Sequence, residues 1–440
     1  MSAGEPATAL TGAARAPAFR EATGVWWRIG WLSFGGPTAQ IALMHRVLVR
    51  ERGWLGESEF LDALGFCMLL PGPEAMQLAT YAGWKLHGVR GGLVAGVLFV
   101  LPGALVVLTL AATYAAFGHV PLVLAAFRGI KACVLVLVIE ALLRIAKRAL
   151  TSARQVAVAV AAFVAIFAFA TPFPLIVLAA ALIGLAWPTG AAPEAPVVPI
   201  ERIKWTATLR TVGAWSAIWA APLLAIVAAF GREHILSQLA WFFSKLAMVT
   251  FGGAYAVLAY MSQDVVMHHG WLTAGQMLDG LGFAETTPGP LILVTEFVGF
   301  LAAAHANPLA PFAYGLLGAG VALWATFAPC FLWVFAGAPY IAWLGGRPRL
   351  KSALSAITAA VLGVILNLAM WFAIHVLFAH VGAWQAGPVR LPIPELDTLD
   401  VRMLGLTLAS ALLLLRLRWS VHRTLAATAA LSLVLALLVR

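Results

Sequence analysis

The sequence predicts an all-α polytopic membrane protein: two inverted-topology repeats with broken half-helices, joined by a connecting transmembrane helix. Composition is the first reason. The 440 residues are 62% hydrophobic and 10% charged, with mean hydropathy +0.94. Such a chain has too little polar surface to cover a core in water, and helices satisfy their own backbone in lipid. An internal repeat is the second. Arg28–Pro73 aligns on Lys245–Pro290 without a gap, with 18 of 46 positions identical. Phe34-Gly35-Gly36 falls on Phe251-Gly252-Gly253, Gly53-Trp54-Leu55 on Gly270-Trp271-Leu272, and Pro71-Gly72-Pro73 on Pro288-Gly289-Pro290. These shared residues break helices, so they are not the apolar matches that any two membrane spans would share. The third reason is charge. The loop of the first copy carries Arg46, Arg50 and Arg52, whereas the matching stretch 262–272 has no Lys or Arg. By the positive-inside rule the two copies start on opposite faces.

In chain order, residues 1–23 are read as a cytoplasmic tail without the apolar core of a signal peptide. Residues 24–187 form the first repeat. Its helical pattern breaks at Gly35-Gly36-Pro37, resumes to Val49, turns through the basic loop Arg50–Gly53, and breaks again at Pro71-Gly72-Pro73. Plainer spans follow near 91–117, 122–147, 155–170 and 174–187. Residues 188–235 supply a polar linker and the connecting span, about 211–230. Residues 236–440 form the second repeat, with later spans near 310–342, 352–379, 402–416 and 420–438. Beyond the second break the correspondence resumes at an offset of 227, which sets Pro102 on Pro329. Loop charges place the N-terminus in the cytoplasm, and the C-terminus and the acidic loop with Glu395, Asp397 and Asp400 outside, in a bacterial-type inner membrane.

Each break is a chemical device. A half-helix that restarts inside the bilayer offers unpaired N–H groups and the positive end of its dipole, which together attract an anion. Gly35, Gly36, Gly72, Gly252, Gly253 and Gly289 are therefore expected to line an anion site at the repeat interface, as in secondary transporters. The alternative is that they only kink the spans. Arg28 and Lys245 match across the repeat and precede the Phe-Gly-Gly breaks. They are expected to clamp a doubly negative ligand from opposite sides, unless they snorkel to the interface. Glu74, Glu285, Asp62 and Asp279 are the candidates for a coupling proton, or else structural partners of Lys and Arg; Glu140 and Glu296 lie in apolar stretches.

The sequence points away from other classes. The net charge of +10 is spread over short loops, which disfavours nucleic acid. Cys67, Cys133 and Cys330 lack CxxC spacing, so neither a disulfide framework nor a metal site is expected, and no cofactor is implied. No HExxH, GxSxG or Walker A motif supports an intramembrane enzyme or an ATP-driven pump. A passive oxyanion channel stays open as an alternative, and oligomeric state is not legible.

The stretches SFGGPTAQIALMHRVLVRERGWL and LPGPEAMQLATYAGW in the first copy resemble the chromate ion transporter (CHR) family. So do FFSKLAMVTFGGAYAVL, GWLTAGQMLDGLG and AETTPGPLILV in the second. The similarity runs from about Trp26 to Leu368, and two copies in one chain resemble the long, fused form. The resemblance implies chromate efflux and chromate resistance, with sulfate, an isosteric dianion, as a competing ligand. The family's basic residue before Phe-Gly-Gly falls on Arg28 and Lys245.

Overall fold

The computed structural model describes residues 17–187, 205–249, 254–341 and 348–438. Among these are sixteen helices and one β-hairpin. Six helices are long and apolar enough to cross a bilayer, which makes the chain a multi-pass membrane protein. Most of the N-terminal tail and the linker 188–204 lie outside the described residues, as do Phe251, Gly252 and Gly253.

The first copy opens with α1 (Phe19–Leu32) and α2 (Gly36–His45), parted at Phe-Gly-Gly. Then come α3 (Glu57–Cys67) and α4 (Glu74–Phe117), parted at Pro-Gly-Pro. α4 is two helices run together, divided where His87 and Gly88 have non-helical backbones. Next come α5 (Pro121–Ala149), α6 (Ala153–Phe169) and α7 (Phe173–Ala186), then the connecting α8 (Trp205–Phe230). The second copy holds α9 (Ile235–Val249), α10 (Ala254–Gln263), α11 (Ala274–Thr286), α12 (Val294–Ala306) and α13 (Pro311–Gly337). It continues with α14 (Pro348–Leu377), α15 (Val401–Ala411) and α16 (Val421–Leu438). The departure from an all-helical chain is an antiparallel hairpin, β1 (Val381–Ala386) and β2 (Val389–Pro394), turned at Gly387.

Local detail is duplicated along with sequence. α2 and α10 both end in a π-helical turn, Arg46–Glu51 and Asp264–His268. Each turn is closed by the same bond: Trp54 N donates to Leu48 O at 2.8 Å, and Trp271 N to Val265 O at 3.0 Å. Both are followed by a left-handed glycine, Gly53 at φ 61° and Gly270 at φ 62°, a conformation that a Cβ would penalise. The hairpin within α4 packs as α12 does on α13. A Cβ on Gly83 would stand 2.4 Å from Gly91 O and beside Ala95; one on Gly299 would stand 2.6 Å from Gly318 O and beside Ala322. Small residues let these backbones approach, the usual basis of helix packing in lipid. Gly92 and Gly96, a GxxxG pair, receive the rings of Phe335 and Phe331 from α13.

The copies interleave. α14 packs against α5, α6 and α7, and α16 against α5. α8 stays at the periphery with only Leu223 buried, leaning on α13 and α9. Polar contacts sort the loops into two ends. Arg52 pairs with Glu21, His87 Nε2 lies 2.7 Å from Pro17 O, and Lys85 lies 2.8 Å from Glu59, so these residues share one end. The stretch 89–117 of α4 rises about 44 Å from there, and its tip, Gly118-His119, meets Thr273, Gln276 and His305 at the other end.

Candidate functional site

The first Phe-Gly-Gly break and the second Pro-Gly-Pro turn meet inside the bundle. α1 runs out at Leu32, and the chain turns through Gly35 (φ 83°) and Gly36 (φ 75°), both left-handed, into α2. The Pro-Gly-Pro turns use the same device, with Gly72 at φ 111° and Gly289 at φ 88°. A non-glycine residue held in such a backbone costs about 1–3 kcal/mol.

The first Phe-Gly-Gly break is tied to the second Pro-Gly-Pro turn. Gly289 N donates to Ser33 O at 2.9 Å. The Gln40 amide donates to Gly289 O at 2.6 Å and to Ser33 O at 3.2 Å, so one side chain bridges the two breaks. Ser33 Oγ turns back to Ile29 O at 2.6 Å. Ser33, Gln40 and the whole of Pro288-Gly289-Pro290 are buried. The first Pro-Gly-Pro turn repeats the logic within its own copy: the Gln77 amide donates to Pro71 O at 2.7 Å.

Each turn also presses on the long helix of the other copy. A Cβ on Gly103 of α4 would sit 2.1 Å from Pro288 O, and one on Gly72 would sit 3.1 Å from Cys330 Sγ of α13. Gly103 and Cys330 are equivalent at the 227 offset, so the contacts are reciprocal. α4 and α13 cross between them, where Phe331 and Phe335 fill the space over Gly96 and Gly92.

Polar capacity remains unused around this junction. Gln40 Oε1, Gln77 Oε1, Thr326 Oγ1 and Glu296 Oε2 are buried without a hydrogen-bond partner among the described residues. Leaving such atoms unpaired costs about 1–3 kcal/mol each. By contrast, a Cβ on Gly36 would meet nothing within 4 Å, and Gly35 is exposed, so the N-terminus of α2 is open on that side.

The other expected site residues are distributed differently. Arg28 is exposed on α1, which packs on α4; Lys245 is exposed on α9, which packs on α13 and α8. Among the described residues the pair shares no partner. Lys245 Nζ instead stands 5.5 Å from the Tyr260 ring centroid. Each lies four residues, about 6 Å, before the last residue of its helix, Leu32 and Val249. Glu74 opens α4 at the first Pro-Gly-Pro turn and is half-buried. Glu285 accepts from Tyr255 OH at 2.9 Å, a bond to α10 rather than to a glycine turn. Asp62 and Asp279 are identical in sequence and opposite in setting. Asp62 is exposed, whereas Asp279 is 1% exposed and accepts from Tyr114 OH at 2.7 Å.

Ser33, Gln40, Gln77, Gly103 and Cys330 are the site residues that sequence reasoning missed. The two glutamines carried a signal: each is an amide in an apolar run, one helical turn after a break. Gly103 and Cys330 carried none, because only the fold brings them to the turns.

A family model described as chromate transporter matches residues 21–185 and 237–438. The chain is 32% identical over 341 residues to the chromate transport protein of Cupriavidus metallidurans, covering 77% of this chain and 78% of that one. It is 30% identical to the probable chromate transport protein of Synechococcus elongatus, covering 79% and 82%. With the chromate transport protein of Pseudomonas aeruginosa it shares 32% identity, covering 77% of each. No solved structure matches.

Proposed function

Because the chain belongs to the chromate transporter family, we propose that it is a secondary transporter exporting chromate across a bacterial-type inner membrane, and so confers chromate resistance. The observation that carries this reading is the junction of Ser33, Gln40 and Gly289, where helix ends of both copies meet inside an apolar bundle. Broken helices at the interface of two repeats are how transporters build a midplane site. The open N-terminus of α2 supplies N–H donors and a positive dipole end for a tetrahedral dianion.

The two ends of the bundle differ in charge. Arg52 and Lys85, with Arg20, Arg50 and Arg90 beside them in sequence, lie at the end that holds Glu21 and Pro17, which the positive-inside rule assigns to the cytoplasm. That supports an inverted pair of repeats, a cytoplasmic N-terminus and a periplasmic C-terminus. Arg28 then lies on the cytoplasmic approach and Lys245 on the periplasmic one, each drawing the anion toward the junction from its own side. This replaces a simultaneous clamp by two successive cations. Direction follows from charge: a dianion leaving a cell at 100 mV, negative inside, gains about 4–5 kcal/mol, so proton transfer at Glu74, Glu285, Asp62 or Asp279 is optional.

Counterflow of labelled chromate in proteoliposomes tests the reading. Saturable uptake, accelerated by chromate on the far side and inhibited by sulfate, is expected. Arg28→Ala and Lys245→Ala are expected to weaken apparent affinity from opposite faces. Flux linear in concentration without trans-acceleration would identify a channel instead.

A further inference from the structure

At the end of the bundle opposite Glu21 lies a cavity of about 350 Å³, walled by Tyr114, His119, Lys131, Thr273, Gln276 and His305. It lies between the tip of α4, the start of α5 and the start of α11, about 16 Å of helix from the Pro288-Gly289-Pro290 turn. The lining carries one lysine and several hydrogen-bonding side chains, and three features around it ask for an anion.

The first is the N-terminus of α11. Thr273 and Gln276 form a capping box: Thr273 Oγ1 accepts from Gln276 N at 3.2 Å, and Gln276 Oε1 accepts from Thr273 N at 2.9 Å. The box satisfies two of the orphan donors at the helix start, which leaves the N–H groups of Ala274 and Gly275 between them. The second is Lys131. A Cβ on Gly275 would lie 3.1 Å from Lys131 Nζ, so the ammonium stands over the positive end of α11 in space that glycine leaves open. A cation there is electrostatically unfavourable; an anion between the two makes it favourable. The third is the weakness of the one acidic partner. Asp279 takes its short bond from Tyr114 OH at 2.7 Å, and Lys131 reaches the same oxygen only at 3.3 Å. Charge-assisted bonds are ordinarily about 2.7–2.9 Å. Asp279 Oδ1, fully buried, has no partner among the described residues. Lys131 is thus held loosely, with donors to spare for the cavity.

The first copy has no equivalent. Thr273, Gln276 and Lys131 correspond to Gly56, Glu59 and Thr358, and Glu59 is paired with Lys85. Duplication gave the protein two such ends, and only one is built to attract an anion. A metal ion is disfavoured by the ammonium and the helix dipole, which both repel it.

We propose that this cavity is a second oxyanion site, at the far mouth of the pathway, where a tetrahedral dianion binds between Lys131 and the N-terminus of α11. The identity of the ligand rests on the transport reading above. When the anion takes up Lys131, the lysine leaves Asp279 to Tyr114; when it departs, the Lys131–Asp279 pair re-forms and the mouth closes behind it.

A cysteine reporter tests this. The native Cys67, Cys133 and Cys330 are buried, so Ala115→Cys, on the cavity wall, is expected to be the thiol that N-ethylmaleimide reaches. Sulfate, which does not oxidise thiols, is expected to slow that reaction in the purified full-length protein. Adding Lys131→Gln is expected to raise the half-protecting sulfate concentration by about tenfold or more, the loss of one charge-assisted hydrogen bond. Lys131→Arg is expected to retain part of the protection, and Asp279→Asn to lower the half-protecting concentration by freeing Lys131. Should Lys131→Gln not reach the membrane, Gly275→Ala crowds Nζ without removing the charge and is expected to weaken protection. Gly289→Val, which disables the central junction, is expected to leave protection intact; that separates failure of this site from failure of the transport reading. Absence of protection in the parent, unchanged protection in Lys131→Gln, or its loss in Gly289→Val would each overturn the proposal.

Discussion

Gln40 shows how much one side chain decides at the centre of this molecule. Its amide bridges Ser33 O and Gly289 O, two carbonyls 256 positions apart in sequence, while its own oxygen stays unpaired among the described residues. Gln40→Leu keeps the bulk and removes both bonds, so it is expected to destabilise the fold by about 1–3 kcal/mol and to abolish transport. Gly103→Val is expected to do at least as much, because its Cβ would stand 2.1 Å from Pro288 O and neither backbone can yield cheaply. Gly65→Ala is the control, since a Cβ there meets nothing within 4 Å. Thermal unfolding in detergent together with vesicle transport checks all three. A Gln40→Leu protein with parental stability and flux would show that the junction is incidental. None of these partnerships was legible in the sequence. The glycines were, because Gly and Pro in an apolar run announce a break; their partners lie in the other copy, and no local pattern points across 249 residues.

At the scale of elements, the long spans and the breaks that lie among the described residues were legible from apolar run length and helix-breaking residues, whereas the spans expected near 155–170, 174–187 and 402–416 are shorter helices of 17, 14 and 11 residues. The expected span near 122–147 is α5, Pro121–Ala149, and the break expected at Pro71-Gly72-Pro73 separates α3 from α4. Two features were not. The hairpin Val381–Pro394 is short and mostly exposed, so it lacks the alternation that marks a half-buried strand. Asp62 and Asp279 share a position in the repeat, and only tertiary packing makes one exposed and the other a partner of Tyr114. The duplicated π-turns give the element-scale prediction. Arg50 and Met267 are matched positions at their ends, both exposed, in a chain whose native cysteines are buried. In intact cells a membrane-impermeant maleimide is expected to label Met267→Cys and to spare Arg50→Cys until the membrane is opened. Equal labelling of both from one side would reject opposed orientations.

Across the whole molecule, the same contacts that stabilise the bundle set what can move. α14 of the second copy is packed among α5, α6 and α7 of the first, whereas α8 touches little besides α13 and α9. The hairpin built on Gly299–Gly318 carries the Pro-Gly-Pro turn whose Gly289 N donates to Ser33 O at the end of α1. Rocking that hairpin against α1 would break and remake the Gly289–Ser33 bond. The central claim is that this junction passes a dianion outward under the membrane potential. The most direct measurement is chromate flux from oriented proteoliposomes under an imposed potassium diffusion potential, with Gly289→Val as the inactive reference. Efflux that accelerates as the interior is made more negative, and that Gly289→Val abolishes, is the predicted result. Flux that ignores the potential, or that Gly289→Val carries at the parental rate, would contradict it.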